Sequence, residues 1–286
     1  TRLAFMNSGI AHILAVSGSN VVVVFAFFMT MFTLLRIPRT ANIILTAFGL
    51  LFYMLLTGSQ PPIVRATVMA LVMMFGKLLG EKSRALNSLG AAAIIIFFYD
   101  ARQLFDVGFQ LSFLAVFSLA YFFPIARNWL PKIEQTNLWR KLLVGGMELV
   151  VVTFVATIGT LPLIAIYFGR VSVVGLLSNV VVVPLVGANV VLGFVSSLFG
   201  WVSFFVADAF AAVNWALLTF CLWIAKFSGN LSWAYIDTLQ FRPIHAIPFY
   251  LALLAVFHVH FKNLARKISI GVVASLNLLL IAPTGS

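Results

Sequence analysis

Polar residues along this chain come in short clusters, and the stretches between them are almost wholly apolar. Apolar runs of about 20 residues, the length needed to cross a hydrocarbon core of ~30 Å, begin near Ile10, Ala41, Pro61, Arg84, Asp106, Val144, Val171, Trp201, Ile244 and Lys267. The pattern predicts an all-α polytopic transmembrane bundle of about ten spans, with one or more of the helices broken or re-entrant. The stretch "LPKIEQTNLWRKLL", residues 130–143, is too polar to span. It reads as an interfacial amphipathic helix, with Trp139 and the basic residues at headgroup level.

Composition supports the membrane assignment. Hydrophobic residues make up 63% of the 286 and charged residues only 9%, against about 25% charged in a soluble domain. No linker, repeat or low-complexity tract divides residues 1–286, which read as one transmembrane domain. The opening "TRLAFMNSG" lacks the apolar core of a signal peptide and reads as the cut edge of a longer protein. A single cysteine, Cys221, excludes a disulfide within the chain and a thiolate metal cluster. In its apolar run it reads as a small buried hydrophobe.

The net charge of +11 would suggest nucleic acid in a soluble protein; here it reports orientation. If the ten spans alternate, twelve Lys and Arg fall on one side and four on the other: Arg102, Arg170, Lys226 and Arg242. The positive-inside rule then places both termini outside.

Polar groups at membrane depth cost about 2.5–3.5 kcal/mol for a central Arg or Asp and mark functional sites by default. Four places carry them. The first is "HILAVSGSNVVVV", where His12, Ser17, Gly18 and Asn20 interrupt an apolar run from Ile10 to Leu35. That run would make a helix of about 39 Å, longer than the core. Either the helix breaks at Gly18 to line a cavity, or it is tilted and packs its small residues on a neighbour. The second is "TGSQPPIVRATVMA": Pro61 and Pro62 suit a first helical turn, which puts Arg65 near the positive end of a helix. Arg65 therefore needs an acceptor, unless it snorkels to lipid headgroups. The third is "DVGFQLSFLAV", where Asp106 and Gln110 share a helical face beside Gly108. Asp106 is either a helix cap or the partner of Arg65. The fourth is the pair "TIGTLPLIAIYFGR" and "LLSNVVVVPLVGAN", in which Pro162 and Pro184 interrupt spans and Asn179 precedes the second proline. Interrupted spans line substrate paths in many transporters; equally, prolines are tolerated where neighbours satisfy the freed backbone.

In this order the motifs resemble the ComEC/Rec2-type competence family of bacterial DNA uptake. The matching stretches are "SGIAHILAVSGSNV" at Ser8, "TGSQPPIVRATVMAL" at Thr57, "DVGFQLSFLAVFSLA" at Asp106 and "TLPLIAIYFGRVSVVGLLSNVVVVPLV" at Thr160. At Asn20 many relatives carry His and others Asn. The resemblance implies an inner-membrane channel that carries single-stranded DNA into the cytoplasm during natural transformation, its path candidates being the ten polar, glycine and proline residues named above from His12 to Pro184. It also implies the lipid bilayer, a DNA receptor, a cytoplasmic helicase and flanking domains of the same protein as partners. Complete members commonly add an OB-like domain before this region and a metallo-β-lactamase-like domain after it, and neither is visible in these residues. His12, His245, His258 and His260 form no HxHxDH metal motif, so no cofactor and no enzymatic activity are expected. Two rival classes fit less well. A small-solute secondary transporter would share broken helices and midplane polar groups. An intramembrane serine hydrolase would need a catalytic partner that "HILAVSGSN" lacks.

Overall fold

The computed structural model describes residues 18–80, 85–131, 137–172, 174–231, 235–238 and 241–258. Among them are nine α-helices: α1 Gly18–Leu34, α2 Arg39–Leu56, α3 Pro61–Leu78, α4 Ala85–Tyr99, α5 Val107–Arg127, α6 Leu138–Phe168, α7 Val174–Phe199, α8 Phe204–Gly229 and α9 Pro243–His258. Two three-residue strands, β1 Arg170–Ser172 and β2 Tyr235–Asp237, pair antiparallel.

Turn chemistry sets the helix ends. After α2, Gly58 and Ser59 take positive φ of 73° and 50°, and their N–H groups donate back to the Leu55 and Met54 carbonyls, the Schellman arrangement. Gln60 then opens α3 with proline at its first two positions, where a missing N–H costs nothing. Arg36, at φ 56°, closes α1 in the same way as Gly58 closes α2, its N–H donating to the Thr33 carbonyl. Gly169, at φ 63°, ends α6.

These short turns reverse the chain, so consecutive helices run in opposite directions. Side-chain contacts fix the common levels. Ser178 meets Ser228, and Ser196 meets the Ala207 carbonyl, along the α7–α8 hairpin. The β1–β2 ladder ties the α6–α7 loop to the α8–α9 loop, reinforced by an Arg170–Asp237 ion pair at 2.9 Å. Two apolar clusters form the core. One joins Val21 and Val24 of α1 to Leu50 and Tyr53 of α2 and to Ile63 and Met74 of α3. The other joins Phe122 of α5, Val155 of α6 and Phe249 and Leu253 of α9. Small residues allow close approach between helices: Gly187 of α7 faces Val23 of α1, and Gly159 of α6 faces Ser118 of α5.

Six helices, α2, α3, α5, α6, α7 and α8, are long and apolar enough to cross a membrane, and the protein is a multi-pass all-α membrane protein. This is fewer than the ten expected spans. Helices α1, α4 and α9 occur where spans were expected, and their described parts, of 17, 15 and 16 residues, each border residues outside the described ones. The run from Lys267 lies outside the described residues. For the prolines the structure takes the second of the two sequence readings, since Pro162 lies inside a continuous α6 and Pro184 inside a continuous α7. Near Pro162 the Tyr250 hydroxyl donates to the Gly159 carbonyl at 3.0 Å, and the Thr160 hydroxyl to the Ala156 carbonyl, so hydroxyls bond carbonyls on both sides of Ile158, whose own carbonyl is the one the proline leaves without its N–H.

Of the expected interfacial helix over 130–143, residues 132–136 lie outside the described residues. Residues 138–143 are the first turns of α6, whose 31 residues make about 46 Å. Nothing in "RKLLVGG" breaks the helix, so it continues into the span. Arg127, the last residue of α5, meets Glu148 at 2.8 Å. The turns of α6 before Glu148 therefore project past the end of α5.

Candidate functional site

Five of the expected residues gather at one end of the bundle. Arg65 lies on the second turn of α3 and is only 3% exposed. Its Nη1 donates to Asp106 Oδ1 at 2.9 Å. The same carboxylate oxygen caps α5 by accepting the Phe109 N–H at 2.8 Å. The two readings of Asp106, cap and ion-pair partner, are both realised by one atom. A carboxylate at a helix N-terminus is favoured by the dipole, and it offsets the unfavourable position of Arg65 at the start of α3.

Close approach depends on Gly108. A Cβ there would lie 2.7 Å from Arg65 Nη2 and 3.1 Å from Asp106 Oδ1, so a side chain would wedge the pair apart. One turn on, Gln110 donates to the Leu104 carbonyl at 3.0 Å and accepts from the Tyr167 hydroxyl at 2.8 Å, which joins α5 to the end of α6. Gly18 opens α1 against the first turns of α3; a Cβ there would lie 3.2 Å from the Pro62 carbonyl and 3.3 Å from the Ala66 Cβ. Two residues later Asn20 hydrogen-bonds the Tyr53 side chain of α2.

A family model for competence proteins matches residues 1–262. The chain belongs to the competence protein family. The chain is also similar to two curated relatives. ComE operon protein 3 of Bacillus subtilis (strain 168) is 28% identical over 181 residues, covering 63% of this chain and 22% of the relative. An uncharacterized protein of Aquifex aeolicus (strain VF5) is 29% identical over 195 residues, covering 68% of this chain and 42% of the relative. The chain thus spans less than half the length of either. No solved structure matches.

Of the fourth pair of motifs, Tyr167 joins the Arg65 end through Gln110, whereas the expected residues Pro162, Asn179 and Pro184 are not among those that meet Arg65 or Asp106. Pro162 is buried within α6. Pro184 is on an exposed face of α7, turned away from the helix contacts that would line an interior path. Asn179 keeps a buried Oδ1 without a partner, next to the Ser178–Ser228 contact. His12 and Ser17 lie outside the described residues.

Several participants were missed by sequence reasoning. Tyr167 and Tyr53 gave no signal beyond being aromatic, because their partners are 57 and 33 positions away in the chain. Gly108 was noted only as small. Asn189 is 7% exposed with neither amide atom partnered, and Thr67 Oγ1, Ser118 Oγ and Asn214 Oδ1 are also buried without partners. Their polarity was legible, but which face of each helix turns inward was not.

Proposed function

We propose that this segment forms the membrane-crossing part of a channel by which single-stranded DNA enters the cytoplasm during natural transformation. The observation that carries the reading is Arg65: a guanidinium 3% exposed inside a membrane-spanning helix and held by a carboxylate. A buried cation of this kind marks a polar or ionic pathway far more often than a structural accident, and a polyanion is the cargo it suits. Membership of the competence protein family and similarity to a relative named ComE operon protein 3 support the choice of DNA over a small solute.

The membrane in this reading is the bacterial inner membrane, with the Arg65 end outside. Arg36, Arg39, Lys77, Arg127, Arg140 and Lys141 lie at or beyond the opposite end, which the positive-inside rule assigns to the cytoplasm. DNA delivered by an external receptor meets the Arg65 end first, and a cytoplasmic helicase draws it from the other. The segment conducts and does not cleave; any hydrolysis belongs to flanking domains of the whole protein. The test is a naturally competent strain carrying an in-frame deletion of this segment, scored for surface-bound DNA, internalised single strand and transformants. We expect bound DNA to persist while internalised strand and transformants are lost. Transformation at the parental frequency would overturn the proposal.

A further inference from the structure

We infer that Asp106 is a built-in stand-in for a phosphodiester: it occupies an anion seat formed by Arg65 and the N-terminus of α5, and the incoming strand displaces it. This rests on the DNA reading above and adds how the site is held closed.

Three observations carry it. First, Arg65 is under-used. A guanidinium offers five N–H donors in a rigid fork. Here Nη1 has the carboxylate, while Nε is fully buried with no acceptor. A carboxylate serving only as a clasp would meet that fork with both oxygens. Asp106 gives one oxygen, and its side chain is 50% exposed. Second, the oxygen that holds Arg65 also accepts the Phe109 N–H at the start of the 21-residue α5. A helix N-terminus is itself an anion site, through its free N–H groups and its dipole. One acidic side chain thus occupies both halves of a phosphate site. Third, position 108 carries no side chain at the point where a Cβ would touch both the guanidinium and the carboxylate, so no third side chain stands between an anion and the two halves of the seat there.

A phosphodiester has two unbridged oxygens in the geometry of the guanidinium fork. One can meet Arg65 at two nitrogens while the other reaches the N–H groups of α5. When it arrives, Asp106 swings out from its already half-exposed position. When the strand has passed, Asp106 returns and the charge of Arg65 is again balanced. The seat therefore opens for a polyanion and closes without one.

The experiment uses the whole chain in lipid nanodiscs and a fluorescent 20-nucleotide oligothymidine, with pyrophosphate as competitor. Asp106→Asn removes the charge but keeps an N-cap, and should bind the oligonucleotide about tenfold tighter than wild type. Arg65→Gln on that background should remove the gain, and pyrophosphate should compete in Asp106→Asn at lower concentration than in wild type. If Asp106→Asn inserts normally and binds as wild type does, the seat does not exist. If it fails to insert, Asp106→Ser, which also caps, takes its place in the assay; failure of both to insert would make the pair a structural clasp and overturn the inference. The two proposals separate cleanly. Tighter binding by Asp106→Asn in a protein whose deletion leaves transformation intact would keep the seat and reject the channel. Unchanged binding with transformation lost would do the reverse.

Discussion

At the scale of single residues, Gly108 sets two effects against each other. In a helix, alanine is favoured over glycine by up to about 1 kcal/mol, so Gly108→Ala on an open surface would stabilise α5. Here the added methyl would lie 2.7 Å from Arg65 Nη2, and overpacking of that kind costs about 1–3 kcal/mol. The steric term wins because the guanidinium is held by Asp106, so moving it away from the methyl breaks that ion pair. We expect Gly108→Ala to lower the thermal midpoint of the detergent-solubilised protein by several degrees; a midpoint equal to or above wild type would mean that the guanidinium yields freely and the approach is not tight. The Arg65–Asp106 contact itself was legible in the sequence for a physical reason: an intramembrane cation at a helix start demands an acceptor, and few are on offer. That Asp106 would cap and pair with one atom was not legible, because sequence distinguishes residue types and not which oxygen goes where. Gln110 was singled out for sharing a face with Asp106, yet its partner Tyr167 is reached only through the folded path of the chain.

At the scale of elements, α6 shows that a proline inside a long membrane helix need not end it. Pro162 was read as either an interruption or a tolerated proline, and α6 runs through it, with the Tyr250 hydroxyl of α9 bonding the Gly159 carbonyl one residue from the carbonyl the proline frees. No local sequence signal contains that partner, which lies 91 residues further on. The same stretch of α6 packs on α5 through Gly159, where a Cβ would collide with the side chain of Ser118. Because both the hydroxyl and the Cβ of Ser118 stand in the way, replacing serine by alanine cannot make room. Gly159→Ala should therefore destabilise the α5–α6 seam by about 1–3 kcal/mol, Ser118→Ala should fail to rescue it, and Ser118→Gly should rescue it in part. Thermal unfolding of the four variants in one detergent decides this. An additive Gly159→Ala/Ser118→Gly double variant would show that the two residues do not meet. Elsewhere the helices began near the expected positions, since apolar runs and Pro–Gly punctuation are strong local signals. Their lengths were less legible: α4 stops at Tyr99 because Asp100 caps a short 3-10 turn over residues 101–105, and a polar cap inside an apolar run is easily read through.

At the scale of the whole molecule, the helix order divides the loops into two sets with different electrostatics. One end holds the Arg65–Asp106 pair and the Arg170–Asp237 pair, with Arg102, Lys226 and Arg242 in the same set of loops. The other holds Arg36, Arg39, Lys77 and Arg127, of which Arg127 meets Glu148. Acidic residues contribute little to membrane orientation, so the proposed orientation rests on Lys and Arg alone: among the described residues Arg140 and Lys141 bring the second end to six, against four in the loops of the first. The native Cys221 is buried, 7% exposed, which makes the chain suitable for cysteine scanning after Cys221→Ala. Gln60 and Ala101 are exposed at the first end, and Thr40 and Asn128 at the second. In intact cells, a membrane-impermeant maleimide should label Gln60→Cys and Ala101→Cys and spare Thr40→Cys and Asn128→Cys until the membrane is opened. The reverse pattern would put the Arg65 end in the cytoplasm, where it would be the exit of a DNA path instead of its entrance. Labelling of all four in intact cells would contradict a spanning bundle altogether. Orientation matters to the chemistry because an anion seat balanced by its own carboxylate belongs where the polyanion arrives: there it must capture a strand against the surrounding water, whereas at the exit the same seat would hold back a strand that has to leave.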